Sequence, residues 1–111
     1  MKIALIFYGQ PRDVVDSYQS FKDKVFSNTN VEIDCFAHMW ESHEYKEALE
    51  VYKFKEVKLE QPKDFSELYE GKTGFCSKSF TLYPMWYSIQ SACRLFKNYI
   101  ENNDIKYDFV I

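Results

Sequence analysis

Four consecutive residues, Gly9, Gln10, Pro11 and Arg12, combine in one short loop the groups that recognition of a polar ligand needs. Glycine lets the backbone pass close to a ligand and proline stiffens the turn. Glutamine brings an amide, and arginine a planar five-donor fork suited to a diphosphate or to a uracil-like edge. The spacing predicts Arg12 in the first turn of a following helix, where the positive end of the amide dipoles makes a cation slightly unfavourable. Helix stability therefore does not account for it. The plainer alternative is that Gly9 and Pro11 turn the chain and Arg12 is merely solvated.

A second group lies near position 40. Cys35, His38 and His43 form a C-x2-H-x4-H string, but three ligands without a fourth make an incomplete zinc site. Positions 35 and 38 would also point to opposite faces of a strand. No metal is expected in this chain. His38 reads as a hydrogen-bonded structural histidine, with no catalytic part assigned, and Trp40 as either core or cleft wall.

These residues need elements to place them. Ile3 to Phe7 is continuously apolar, as a strand covered on both faces must be. Val14, Tyr18, Phe21 and Val25 recur at helical spacing, with either Pro11 as the first helical residue or Asp13 as the cap, and Asp16 in the opening turn. After a turn at Asn28 to Asn30, a second strand runs from Val31 to Ala37 and ends at His38, Met39 and Trp40. A helix over Ser42 to Val51 precedes Phe54 to Glu60, whose strict alternation predicts an edge or near-edge strand. Gln61 to Lys78 is the loosest stretch, with a short helical possibility at Asp64 to Tyr69. The longest helix is expected over Thr81 to Asn102, with Pro84 tolerable near its start. Its apolar stripe is expected at Tyr83, Trp86, Ile89, Cys93, Phe96 and Ile100, with Tyr87 and Ser88 off the centre of that stripe. Tyr107 to Ile111 reads as a last strand.

Strand and helix thus alternate, the pattern of a doubly wound, Rossmann-like α/β sheet that is mostly parallel. Ligands in such sheets bind beyond the carboxyl ends of the strands, where the strand order reverses. That rule selects Gly9 to Arg12, His38 to Trp40, and whatever follows Ile111.

With 111 residues, 46% of them hydrophobic and 19% aromatic, the chain can build one domain with a real core. A formal charge of −3 with Lys and Glu interspersed offers no basic face to a nucleic acid. No segment is long enough to span a bilayer, and no leader sequence is recognisable. Three widely spaced cysteines, Cys35, Cys76 and Cys93, suit free thiols in a cytoplasm, with Cys35 and Cys93 expected to be buried and Cys76 accessible.

Four segments in order carry a resemblance. Tyr8-Gly9-Gln10-Pro11-Arg12, Phe36-Ala37-His38-Met39-Trp40, Met85-Trp86-Tyr87-Ser88-Ile89 and Tyr107 to Ile111 (YDFVI) resemble the SGQPR, FIHTW, MFYSI and YDxVI segments of a family of GT-A type nucleotide-sugar glycosyltransferases found in bacterial surface-glycan clusters, large DNA viruses and phages. Tyr52, Lys53, Phe54 and Lys55 answer that family's Tyr-Lys-Pro-Lys, with Phe54 in place of the proline. The resemblance implies that residues 1–111 are the N-terminal, nucleotide-binding half of a longer enzyme that transfers a sugar to a hydroxyl acceptor. It implies a donor half-site of Gly9, Gln10, Pro11, Arg12, His38, Trp40, Tyr87 and Ser88. An R-x-R-x-D segment and a divalent cation, Mg2+ or Mn2+, would belong to the full-length enzyme only, and this chain alone is expected to be inactive. The alternative is a noncatalytic nucleotide-binding or interaction domain.

Overall fold

The computed structural model describes residues 1–28, 30–64 and 82–111, and of Leu82 the backbone only. The strands are β1 (Lys2–Gly9), β2 (Glu32–Trp40), β3 (Glu56–Glu60) and β4 (Phe109–Val110). The helices are α1 (Val14–Phe21), which widens into a π-helical turn over Lys22–Phe26, α2 (Tyr45–Tyr52) and α3 (Leu82–Asn103). All four strands are parallel and lie in the order β3-β2-β1-β4. This is a Rossmann-like α/β fold, and β3 is an edge strand as its alternation predicts. The order reverses between β1 and β4, so the carboxyl end of β1 is the switch point of the sheet.

Side-chain alternation divides β1 and β2 between two layers. Odd-numbered residues face α1 and α2: Ala37 and Met39 pack with Val14 and Ala48, and Phe7, Tyr52, Phe54 and Val57 close around them. The Tyr52 ring meets Phe7 at 4.9 Å and Tyr18 at 5.3 Å between centroids. Even-numbered residues face α3. There Phe36 is fully buried, with Phe96, Tyr99 and Tyr107 at 5.1, 5.0 and 6.0 Å. Residues 34 to 40 of β2 are buried throughout, including the polar Asp34 and His38, so both need partners. Asp34 accepts a 2.7 Å hydrogen bond from the Tyr107 hydroxyl.

The expectations for Arg12 and for the rotation of α3 are corrected, and of the two alternatives for the start of α1 it is Asp13 that stands at the cap. Arg12 lies before α1, whose first helical residue is Val14, so the dipole argument does not bear on it. Asp13 occupies the cap position with φ 48° and makes no side-chain cap bond. The buried line of α3 is also not the expected stripe. Ser88 and Ala92 are fully buried, whereas Trp86 is 58% exposed and Cys93 is exposed rather than buried. Ser88 and Ala92 are one helical turn apart, and their small side chains let the helix lie close on the sheet. Hydrophobic spacing cannot register a buried serine, so it points about a quarter turn to one side.

The last strand is shorter than Tyr107 to Ile111, although Asp108 N–H to Lys2 O at 2.8 Å and Ile111 N–H to Ala4 O at 2.9 Å extend its backbone pairing. The short helical possibility at Asp64 to Tyr69 and the residue Cys76 lie largely or wholly outside the described residues. Among the described residues no helix is long and apolar enough to cross a membrane.

Candidate functional site

At the carboxyl end of β1, Gly9 takes φ +94°, a conformation open to glycine at little cost. A Cβ there would meet nothing within 4 Å, so the requirement is conformational and not one of space. The Gly9 N–H donates to Ser88 Oγ at 2.8 Å, which ties the start of the loop to α3. Ser88 Oγ lies 2.7 Å from His38 Nδ1, and His38 Nε2 lies 3.0 Å from Glu60 Oε1. Strand register brings this about. His38 pairs with Tyr8 and Lys58, and Trp40 with Glu60, so the carboxyl ends of β1, β2 and β3 meet beneath α3.

The hydrogen bonds assign the protons. A carboxylate can only accept, so His38 carries its proton on Nε2 and gives it to Glu60. Nδ1 then accepts the Ser88 hydroxyl proton, and Ser88 Oγ accepts from Gly9. Burial pushes the His38 pKa below its ordinary value, Lys58 and Lys63 push the same way, and Glu60 offsets them only in part. The ring is neutral at pH 7, in agreement with this assignment.

Glu60 is the centre of the cluster. Its carboxylate takes Lys58 Nζ at 3.1 Å, Lys63 Nζ at 3.1 Å and the Tyr87 hydroxyl at 3.0 and 3.1 Å, besides His38. Burial works to raise its pKa, but the hydrogen bonds from Lys58, Lys63, His38 and Tyr87 prevail and hold it at about 2. Lys63 also donates to the Tyr87 hydroxyl at 2.6 Å and stands 4.4 Å from the centre of that ring. Trp40 stacks on Tyr87 at 5.5 Å and meets His38 edge-on at 5.0 Å.

Among the described residues, two of the cavities are bordered by the Gly9–Arg12 loop. One of ≈ 160 Å³ is lined by Gln10, Trp40, Glu41, Pro62, Lys63 and Pro84. The other, ≈ 220 Å³, lies beneath the Gly9–Arg12 loop on the α1 side, against apolar residues such as Phe7, Tyr52 and Phe54. Gln10 borders both. Arg12 is exposed, donates to the Gln10 side chain at 3.3 Å, and lines the second cavity.

Of the residues expected from sequence, Gly9, His38 and Ser88 are bonded to one another, Trp40 and Tyr87 wall the same cluster, and Gln10 and Pro11 border the cavities. Arg12 stands apart from the cluster. Glu60 and Lys63 were not foreseen. The available signal was that Glu60 ends the third strand, at the same edge of the sheet as Gly9 and Trp40. Cys35 faces α2 while His38 faces α3, so they share no ion. Among the described residues no group of three His, Cys, Asp or Glu side chains could hold one.

Serine, histidine and glutamate in a chain invite comparison with a nucleophilic triad. Ser88 Oγ is fully buried and already accepts the Gly9 N–H, so no substrate reaches it. The ring nitrogens are also used in the reverse sense, Nδ1 toward serine and Nε2 toward carboxylate. The chain of bonds therefore positions groups and does not attack anything.

Comparison with descriptions of known protein families, with curated proteins and with solved structures returned no match. The fold and the site define the class: a Rossmann-like α/β protein with a cluster of bonded polar side chains at the carboxyl end of its sheet.

Proposed function

We propose that the chain is the nucleotide-binding half of a glycosyltransferase that uses a nucleotide-diphosphate sugar and a hydroxyl acceptor. One observation carries this reading. The strand order reverses beside β1, and the loop holding Gln10 and Arg12 leaves the sheet at that point, bordering a cleft shared with Trp40 and Lys63. In this reading Gln10, which borders both cavities, and Arg12, at the second, supply donors to the diphosphate or the base edge, and Trp40 walls the first. His38 takes no proton from the acceptor, because both ring nitrogens are engaged and buried. The described carboxylates do not fit a divalent ion, since Glu60 is already occupied by two lysines, His38 and Tyr87, so no step is assigned to one. A cytoplasmic location belongs to the same proposal.

The occupied state of Glu60 favours a second reading, a noncatalytic nucleotide-binding domain. Calorimetric titration of the chain with uridine, guanosine and cytidine diphosphates tests what the two share. Binding of at least one is expected, and Arg12→Ala should weaken it by about 10- to 100-fold, the worth of one charge-assisted hydrogen bond. The melting temperature without ligand should stay within about 2 °C, because Arg12 is exposed. Absence of binding, or unchanged affinity in Arg12→Ala, overturns the reading. Release of nucleoside diphosphate from a nucleotide sugar separates enzyme from binding domain.

A further inference from the structure

The Gly9 backbone ties the Gly9–Arg12 loop to α3, and its acceptor is a hydroxyl oriented by a buried imidazole. That imidazole is held in turn by the carboxylate that grips Lys63 and Tyr87. We propose that Ser88, His38 and Glu60 are a positioning relay that fixes the Gly9–Arg12 loop relative to Lys63, which lines the cleft, and to Tyr87, which Glu60 and Lys63 hold. Its consequence for ligand binding rests on the nucleotide reading above; the relay itself does not.

The relay has two fully bonded proton states. With His38 neutral, the Ser88 hydroxyl donates to Nδ1 and Ser88 Oγ accepts from Gly9. With His38 protonated, Nδ1 becomes a donor to Ser88 Oγ, and the hydroxyl must turn to another acceptor. The His38 carbonyl oxygen is available at 3.4 Å, a longer contact. Ser88 Oγ then accepts from both Nδ1 and Gly9, so charge on the ring changes the bond that Gly9 makes. The groups facing His38 are Glu60 and Lys58 from β3, Lys63 just beyond it, Tyr87 from α3 and, as its register partner on β1, Tyr8. Among the described residues only Glu60 brings a negative charge to the ring by direct hydrogen bond.

Nuclear magnetic resonance on the 111-residue chain tests the relay. The Gly9 amide shift should titrate with the same midpoint as the His38 ring, whose neutral form should carry its proton on Nε2. Glu60→Gln should lower both midpoints together, by about one pH unit, since the carboxylate favours the charged ring. Ser88→Ala should speed hydrogen exchange at Gly9 by about tenfold, the loss of one hydrogen bond. If Ser88→Ala does not fold, Glu60→Gln carries the test, because that side chain is not fully buried.

A Gly9 amide that ignores the His38 titration, or a neutral ring protonated on Nδ1, overturns the relay. A group with a merely structural part would leave the two midpoints uncoupled. With the relay present, nucleoside diphosphate affinity should fall severalfold in Glu60→Gln. If the wild-type chain binds no nucleotide, the functional reading fails while the Gly9 and His38 measurements still decide the relay.

Discussion

Cys35 and Cys93 show how far residue type is from residue environment. Both were expected to be buried, and only Cys35 is. On β2 it faces α2, and burial, reinforced by the charge of Asp34, pushes its thiol up to about 12. Cys93 lies on the outer side of α3. Thiolate and access both govern reactivity, so they act together here. A thiol reagent at pH 8, read by peptide mass mapping, should label Cys93 within minutes and Cys35 only as fast as the native state opens. Equal rates at the two positions would mean that β2 is not covered by α2. Cys76 lies outside the described residues, and its labelling bears on neither outcome.

At the scale of elements, α3 decides the most, because its rotation sets which residues meet the sheet. Phe36 receives the edges of Phe96, Tyr99 and Tyr107 and is fully buried, whereas Trp86 points away from that interface. Phe36→Ala should therefore cost about 3 to 5 kcal/mol in urea unfolding, through lost transfer energy and the cavity left behind. Trp86→Ala should change stability by no more than about 0.5 kcal/mol, the usual range for an exposed position. Comparable losses in the two variants would restore the stripe drawn from Trp86 and Cys93, and with it a different rotation of the helix. Sequence spacing found the extent of α3 to within a residue or two. It missed the rotation, because Ser88 is held by hydrogen bonds to Gly9 and His38 and not by apolar area.

Across the whole molecule the two ends of the sheet are held by different chemistry. At the amino end Asp34 is bonded to Tyr107 and approached by Lys2 at 3.9 Å, and Asp108 accepts the Lys2 backbone N–H at 2.7 Å. At the carboxyl end the His38 and Glu60 cluster responds to acid. Glu60 has a folded pKa of about 2, below its ordinary 4.5, so it stabilises the fold above 4.5, and that contribution is lost as pH falls toward 2. His38 is also shifted down from 6.5, so the fold favours its neutral form and loses stability as pH falls through the shifted value. Both groups act in the same direction, toward weaker folding in acid. Urea unfolding from pH 7 to pH 3 should show a steady decline in the wild type. Glu60→Gln should start about 1 to 2 kcal/mol lower at pH 7 and decline less below pH 4.5. An unchanged acid limb would mean that Glu60 is not paired as described.

The sequence by itself determined the alternation of strands and helices, the covered first strand, the edge character of Glu56 to Glu60, and the loop at Gly9. Each of these follows from local spacing, apolar content or the special backbone freedom of glycine, which are properties of a short window. Only the tertiary structure decided that Gly9, His38, Ser88 and Glu60 form one connected set, that Lys63 joins them, and that Arg12 stands apart on the other side of the loop. Gly9, His38, Ser88 and Glu60 are separated by between 22 and 79 positions where they bond. Their meeting depends on parallel register, on the strand order β3-β2-β1-β4 and on the rotation of α3, none of which is encoded in any one segment.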